Sequence, residues 1–178
     1  MEYTIDLLTT QPVLTLRELL ESQWLVPRKV RHFLRIRKNV QINGEAALFH
    51  QEVGPGDRIT LRLEEGDYNY QPVVSGNAAA IRPLYEDDHL IVVDKPAGIK
   101  THPNQPKETG TLFNDLAAYL KQKDQQPYVV HRLDKETSGA ILFAKNPLVL
   151  PILGRLLEEK QIYRRYQAVV DGPITKDL

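Results

Sequence analysis

Apolar residues fall into short blocks whose spacing changes along the chain. Leu16, Leu19 and Leu20 recur at helical intervals behind Thr15-Leu16-Arg17-Glu18. That tetrapeptide has capping-box spacing, which predicts a helix starting at Thr15. Pro27 suits a first helical turn and predicts a second helix. At about 100° per residue, Val30, Phe33 and Leu34 gather on one side of it, and Arg28, Arg31, His32 and Arg35 on the other. The apolar stripe should pack and the basic stripe face outward. Val40-Gln41-Ile42 alternates and meets Asn43-Gly44, a strong hairpin signal. Gly54-Pro55-Gly56-Asp57 reads as a turn, and Arg58 to Leu63 alternates as a half-buried strand should.

Residues 65–79 have no sustained period and carry Gly, Pro and Asn breakers, so they read as a linker. Beyond it, Ile91-Val92-Val93 forms a strand core. Lys95-Pro96-Ala97-Gly98 suits a type I turn, with Pro second and Gly fourth. Residues 99–110 read as loop and hold His102 and Pro103. Thr111 caps a helix bearing Leu112, Leu116 and Leu120. Tyr128-Val129-Val130 and Ala140-Ile141-Leu142-Phe143-Ala144 read as short, mostly buried strands. Another helix begins between Pro147 and Pro151 and runs to about Lys160. Its apolar face is Ile152, Leu153, Leu156 and Leu157, with Val149 near its start. Tyr163 to Val170 reads as a last strand. Helices packed on a sheet are the expected layout.

One or two domains fit 178 residues. With 42% hydrophobic and 26% charged residues the chain is globular. No apolar run approaches the roughly 18–20 residues of a membrane span. The N-terminus lacks the basic-then-apolar pattern of a signal peptide. There is no cysteine, which excludes disulfides, a thiolate nucleophile and cysteine metal sites. A cytoplasmic location is the expectation. A net charge of zero argues against nucleic acid, but its distribution argues for it. Ser22 to Gly44 contains no acidic residue and holds Arg28, Lys29, Arg31, Arg35, Arg37 and Lys38. Salt screens beyond about 8–10 Å, so such a local cluster decides phosphate binding. The bland alternative is a solvated basic face.

The densest chemistry lies in His131-Arg132-Leu133-Asp134-Lys135-Glu136-Thr137-Ser138-Gly139, between two predicted strands. Read alone it is a polar turn. The string resembles the active-site motif of the RluA-like family of RNA pseudouridine synthases. Pro83 to Gly98, ending in Lys-Pro-Ala-Gly, resembles that family's first motif. Tyr166-Gln167-Ala168-Val169-Val170-Asp171-Gly172 is similar to its tyrosine strand. Two helices, a basic face, Val40-Gln41-Ile42-Asn43-Gly44 and Gly56-Asp57-Arg58-Ile59 resemble the αL RNA-binding module of a small-subunit ribosomal protein and some tRNA synthetases. In place of that module's glycine before the hairpin strand stands Lys38-Asn39, and Asn39 is expected to supply the left-handed turn.

The resemblance implies an α+β fold: a small αL RNA-binding domain (12–64), the linker (65–79), and a partial mixed/antiparallel-sheet pseudouridine synthase catalytic domain (80–178). That domain is expected to be incomplete at its C-terminus, because family members continue beyond this point with a basic partner for the aspartate. The implied activity is isomerisation of uridine to pseudouridine in RNA, without cofactor or metal. Asp134 would be the catalytic carboxylate, as nucleophile or as base. Arg132 would fill the space left by the flipped nucleotide, and Tyr166 would pack on the uracil. A structural ion pair of Arg132 with Glu136 or Asp134 is the alternative for that residue. Lys95 and His131 would shape the pocket. Arg28, Lys29, Arg31, Arg35, Arg37 and Lys38 would bind phosphates. The RNA is ribosomal by preference, transfer RNA remaining open.

Rival chemistries fare worse. A His131–Asp134–Ser138 triad would come from one segment, whereas such groups converge from several, and no Gly-x-Ser-x-Gly elbow exists. His89, His102 and His131 lack paired metal-ligand spacing. Asp134 and Glu136, two apart, have no reason to face each other across a glycosidic bond. The strongest non-enzyme alternative is an RNA-binding protein or fragment.

Overall fold

The computed structural model of the chain describes residues 2–64, 66–68, 70 and 73–172. Strands β1 (Glu2–Asp6) and β2 (Leu14–Thr15) precede helix α1 (Leu16–Glu18), which continues as a π-helical turn over Leu19–Gln23. Then come α2 (Arg28–Ile36), β3 (Val40–Ile42), β4 (Glu45–Ala46), β5 (Glu52–Val53) and β6 (Arg58–Arg62). The second half holds β7 (Pro83–Glu86), β8 (Leu90–Lys95), α3 (Leu112–Lys121), β9 (Tyr128–Val129), β10 (Gly139–Ala144) and α4 (Val149–Glu158). The fold is α+β. One sheet runs β1-β6-β3-β4, another β7-β8-β10-β9, and β2 pairs with β5. Every pairing among the described residues is antiparallel.

Local chemistry sets the ends of these elements. Thr15 Oγ1 accepts from Glu18 N at 3.2 Å, and the Glu18 carboxylate accepts from Thr15 N at 2.8 Å, closing the capping box. Leu16, Leu19 and Leu20 are fully buried behind it. Helix α2 ends in a Schellman arrangement: Asn39 N donates to Leu34 O at 2.9 Å and Lys38 N to Arg35 O at 3.3 Å. That motif puts the left-handed residue directly after the cap. Lys38, at φ 56°, therefore takes the conformation expected of Asn39. Asn43 and Gly44, at φ 53° and 88°, make the hairpin turn as expected.

Strand β1 lies before residue 12, outside the stretch expected to form the first module. It pairs with β6 along its whole length, Glu2 opposite Arg62 and Asp6 opposite Arg58. Ion pairs at 2.9 and 2.6 Å sit at those two ends. Of the expected linker, Glu65, Asn69, Gln71 and Pro72 lie outside the described residues, as do Pro173 to Leu178 and Met1. The described part is knit to both halves. Asp67 takes the Arg37 guanidinium at 2.8 Å, and Asn114 Nδ2 donates to Val74 O at 2.7 Å.

In the second sheet Ile91, Val93, Ile141 and Phe143 are fully buried against Leu116 and Leu120 of α3, whose start Thr111 caps. Helix α4 starts where the Asn146 side-chain carbonyl accepts from Leu148 N and Val149 N at 3.1 and 3.0 Å. The expected strand over Tyr163 to Val170 does not form; these residues have no regular structure and are exposed. Extended chain becomes a strand only when a neighbour supplies the hydrogen-bond ladder. Among the described residues none faces this segment.

Glu86 at the end of β7 binds Lys123 Nζ at 2.8 Å, Lys145 Nζ at 2.9 Å and the Tyr119 hydroxyl at 3.0 Å. Burial alone would raise its carboxyl. The bonds from Lys123, Lys145 and Tyr119 outweigh it and bring the pKa from 4.5 to about 2. A depressed carboxylate contributes stability that is present above its unfolded pKa and lost as pH falls toward its folded pKa. Acid titration followed by circular dichroism should show stability lost between about pH 4.5 and 2, on the order of 3 kcal/mol of it from this group. Glu86→Gln should flatten that part of the curve.

Candidate active site

Strands β8 and β10 pair so that Lys95 lies opposite Gly139. The residues flanking these positions therefore meet at one end of the sheet: the Lys95-to-Gly98 turn from one strand and the 131–138 stretch from the other. Asp134 opens a tight turn there, closed by Thr137 N donating to Asp134 O at 3.1 Å. Asp134 is exposed at the turn, while Leu133 just before it is buried.

Three groups pin this turn from below. Lys95 is completely buried, and its ammonium donates to the carbonyls of Thr137, Lys135 and Pro96 at 2.7, 3.1 and 3.1 Å. An ammonium has three donors and no acceptor, so the three bonds exhaust it. Buried Thr101 Oγ1 donates to Leu133 O at 2.7 Å and accepts from Leu133 N at 3.1 Å. Gly98 N donates to Lys135 O at 2.8 Å, at φ 89°. Burial lowers the Lys95 pKa, while the Glu136 and Asp134 carboxylates act against that shift. Lys95 thus holds the loop mechanically and puts a positive charge beneath Asp134.

His131 Nε2 accepts from Leu142 N at 3.2 Å, which ties the start of the stretch to β10. Burial, with Arg164 second, holds its pKa below the ordinary 6.5, so it is neutral at pH 7. It is a structural acceptor. Arg132 is exposed, and among the described residues its guanidinium has no ion pair; Glu136 pairs with Lys135 at 3.7 Å. The alternative ion pair for Arg132 does not form. Tyr166 is 59% exposed in the irregular segment, its ring open to solvent.

A concavity of about 560 Å³ lies to one side, lined by Tyr70, His102, Phe113, Tyr128 and Val129 among others. Asp134, Arg132 and Tyr166 do not line it. Thr101 had no sequence signal, because it sits in a stretch without periodicity; only its contact across 32 residues reveals its part. Among the described residues no three His, Cys, Asp or Glu side chains group to hold a metal ion.

The basic helix is less uniform than its wheel. Arg28, Lys29, Arg35 and Lys38 are exposed. Arg31 instead folds back: its side chain is 17% exposed, paired with Glu21, and Nε donates to Val26 O at 3.0 Å. Arg37 is held by Asp67 at 2.8 Å and Glu64 at 3.4 Å. Phe33 is half-buried, with the Arg37 guanidinium 4.6 Å and Lys29 Nζ 5.6 Å from its ring centre. It lies beneath cations where the wheel had it packing with Val30 and Leu34. A face attracting RNA backbone would then consist of Arg28, Lys29, Arg35 and Lys38, with Arg37 fixed beside them. Reversing Arg28, Lys29 and Arg35 to Glu should flatten the salt dependence of RNA binding by about one unit of slope per lost contact. Folding should change by under about 0.5 kcal/mol. Arg31→Glu should instead lower stability, since it sets two carboxylates together and frees the Val26 carbonyl. Filter-binding salt titrations and thermal melts separate the two outcomes.

Two family models and several known proteins match the chain. Residues 89–178 match the RNA pseudouridylate synthase family. Residues 3–59 match the N-terminal domain of the RluD ribosomal pseudouridine synthases. A Bacillus subtilis protein named uncharacterized RNA pseudouridine synthase YhcT is 38% identical over 139 residues, 77% of this chain and 45% of its own. Ribosomal large subunit pseudouridine synthase D of Nitrosomonas europaea is 37% identical over 145 residues, 79% of this chain and 41% of its own. The solved human RNA Pseudouridylate Synthase Domain Containing 4 is 26% identical with a TM-score of 0.38, covering 44% of this chain and 30% of that one.

The two family matches thereby place this α+β chain, with its basic N-terminal module, in one protein family. It belongs to the RNA pseudouridylate synthase family, with an N-terminal module of the RluD type. The chain spans less than half the length of the curated relatives it matches.

Proposed function

We propose that the protein isomerises uridine to pseudouridine in RNA and that Asp134 starts the chemistry. The observation that carries this is the Asp134 turn: an exposed carboxylate on a loop locked by the buried Lys95 ammonium and Thr101. Catalytic groups act best when buried supports fix their geometry. The reaction breaks the bond from uracil N1 to the anomeric carbon and forms one from C5; N1 gains a proton and C5 loses one. It is redox-neutral and calls for no redox cofactor. A carboxylate beside the sugar either attacks the anomeric carbon or removes a ribose proton.

Arg132, exposed and unpaired among the described residues, suits the space vacated by a flipped nucleotide. Tyr166 would close on the uracil, since its exposed ring is available for stacking. Residues 12–64 would be the RNA-binding module, to which β1 adds a strand, and 80–178 the catalytic part. Arg28, Lys29, Arg35 and Lys38 would bind phosphates directly, with Arg31 and Arg37 shaping the face. Ribosomal RNA is the proposed substrate, because relatives named as ribosomal large subunit synthases match across both halves. Among the described residues no helix is long and apolar enough to cross a membrane. Cytoplasmic action is proposed because relatives are named as ribosomal large subunit synthases.

The test is to map pseudouridines in cellular RNA with and without the gene. One or a few ribosomal positions should revert to uridine. An unchanged map in every RNA class would overturn the activity; loss confined to transfer RNA would overturn the substrate.

A further inference from the structure

The two halves touch at two places, and the segment between them ties both together at a third. Leu148, just before α4, is 4% exposed and belongs to the core of the N-terminal half, with Leu7, Leu16 and Leu20 among its cluster. About two turns further along α4, Arg155 Nη1 donates to Ser22 O at 2.7 Å and Nη2 to Gln23 O at 3.2 Å. Those carbonyls end the α1 helical stretch, where carbonyls lack intrahelical partners and the helix dipole favours a cation. The third contact is aromatic. Tyr68 packs on the N-terminal core, and Tyr70, two positions on, stacks edge-on against Tyr128 of β9 at 5.6 Å.

A single contact between two bodies leaves rotation free, and two leave a hinge. Here the tie through Tyr68 and Tyr70 is added to the two direct contacts. The middle one is also directional, because a planar guanidinium reaching two consecutive carbonyls fixes the angle as well as the distance. Burial pushes the Tyr3 hydroxyl on β1 up to about 12, with Tyr128 across the junction adding to it. A cleft of about 350 Å³ runs beside these contacts, between Tyr3 and Trp24 on one side and His89 and Asn146 on the other.

We propose that the two modules form one rigid unit in which Arg155 and Leu148 fix the separation between the basic face and the Asp134 turn, and thereby select the uridine that is modified. This rests on the activity proposed above. A phosphate stretch held at Arg28, Lys29 and Arg35 then presents only a uridine at one distance along the folded RNA. Two sites on one rigid body bind one RNA with a high effective concentration at the second site, and a loose joint loses that gain. Arg155 is a positioning residue here and touches no substrate.

The first measurement is physical. The chain has no cysteine, so spin labels at Glu45→Cys and Lys121→Cys, one in each half, are unique. Their distance distribution should be a single narrow peak that broadens in Arg155→Ala and broadens less in Arg155→Lys. A broad distribution in the parent chain would overturn the proposal. The second measurement uses the whole protein and two RNAs: a short hairpin around the target uridine, and one long enough to reach the basic face. Arg155→Ala should lower kcat/KM about tenfold or more on the long RNA and leave the short one within about twofold. Equal loss on both RNAs would mean a merely structural role and would overturn the proposal, as would no loss on either. If the parent protein converts neither RNA, the activity reading falls, and the spin-label distances decide rigidity by themselves.

Discussion

Asp134→Asn should abolish pseudouridine formation in the whole enzyme while RNA affinity stays within a few fold. The substitution keeps size and hydrogen-bonding reach but removes the anion. The amide can neither attack the anomeric carbon nor take a ribose proton. Asp134 closes its turn through its backbone carbonyl, which the change does not touch. Its side chain is exposed, so little folding energy depends on it. Tritium release from labelled ribosomal RNA reads the chemistry and filter binding reads the affinity. Turnover near the parent rate would remove Asp134 from its role. A large loss of affinity together with turnover would show that the residue holds RNA rather than transforms it.

Lys95→Met should be the most damaging change away from the reacting groups. The thioether nearly fills the same space, but the carbonyl oxygens of Pro96 and Thr137 lose their donor, and that of Lys135 keeps only Gly98 N. An acceptor left unpaired beneath the turn costs about 1–3 kcal/mol, and water entry would relieve part of it. A net loss of about 2 kcal/mol corresponds to a fall in Tm of roughly 4–8 °C for a chain of this size. Activity should fall further than stability explains, because the loop bearing Asp134 loses both its anchor and the charge beneath it. The readout separating the two is kcat at a temperature where the variant is fully folded by circular dichroism. An unchanged kcat there would reduce Lys95 to a stability residue. Lys95→Arg should not rescue, since the wider planar guanidinium cannot aim at three carbonyls from a fully buried position.

Much of this molecule was legible in the order of its residues. The capping boxes at Thr15 and Thr111, the Asn43-Gly44 turn and the buried alternation of β8 and β10 depend on neighbours within a few positions. The Asp134 stretch was legible for the same reason, as a dense polar segment between two apolar strands. Long-range partnership is what residue order did not carry. Strand β1 exists because β6, more than fifty residues away, offers Arg58 and Arg62 to Asp6 and Glu2. Tyr163 to Val170 has strand-like residues and no strand, because no ladder partner faces it among the described residues. Arg31 looked like its basic neighbours on a helical wheel, yet Glu21 and the Val26 carbonyl draw it inward. Sequence by itself determined which groups are candidates for the chemistry and most of the short helices and strands, since propensity, capping and turn chemistry act locally. Only the tertiary structure decided that Lys95 and Thr101 lock the Asp134 turn and that Arg155 and Leu148 join the halves. Those contacts cross between 32 and 133 positions of chain, and burial, which makes each one strong, exists only once the chain has folded.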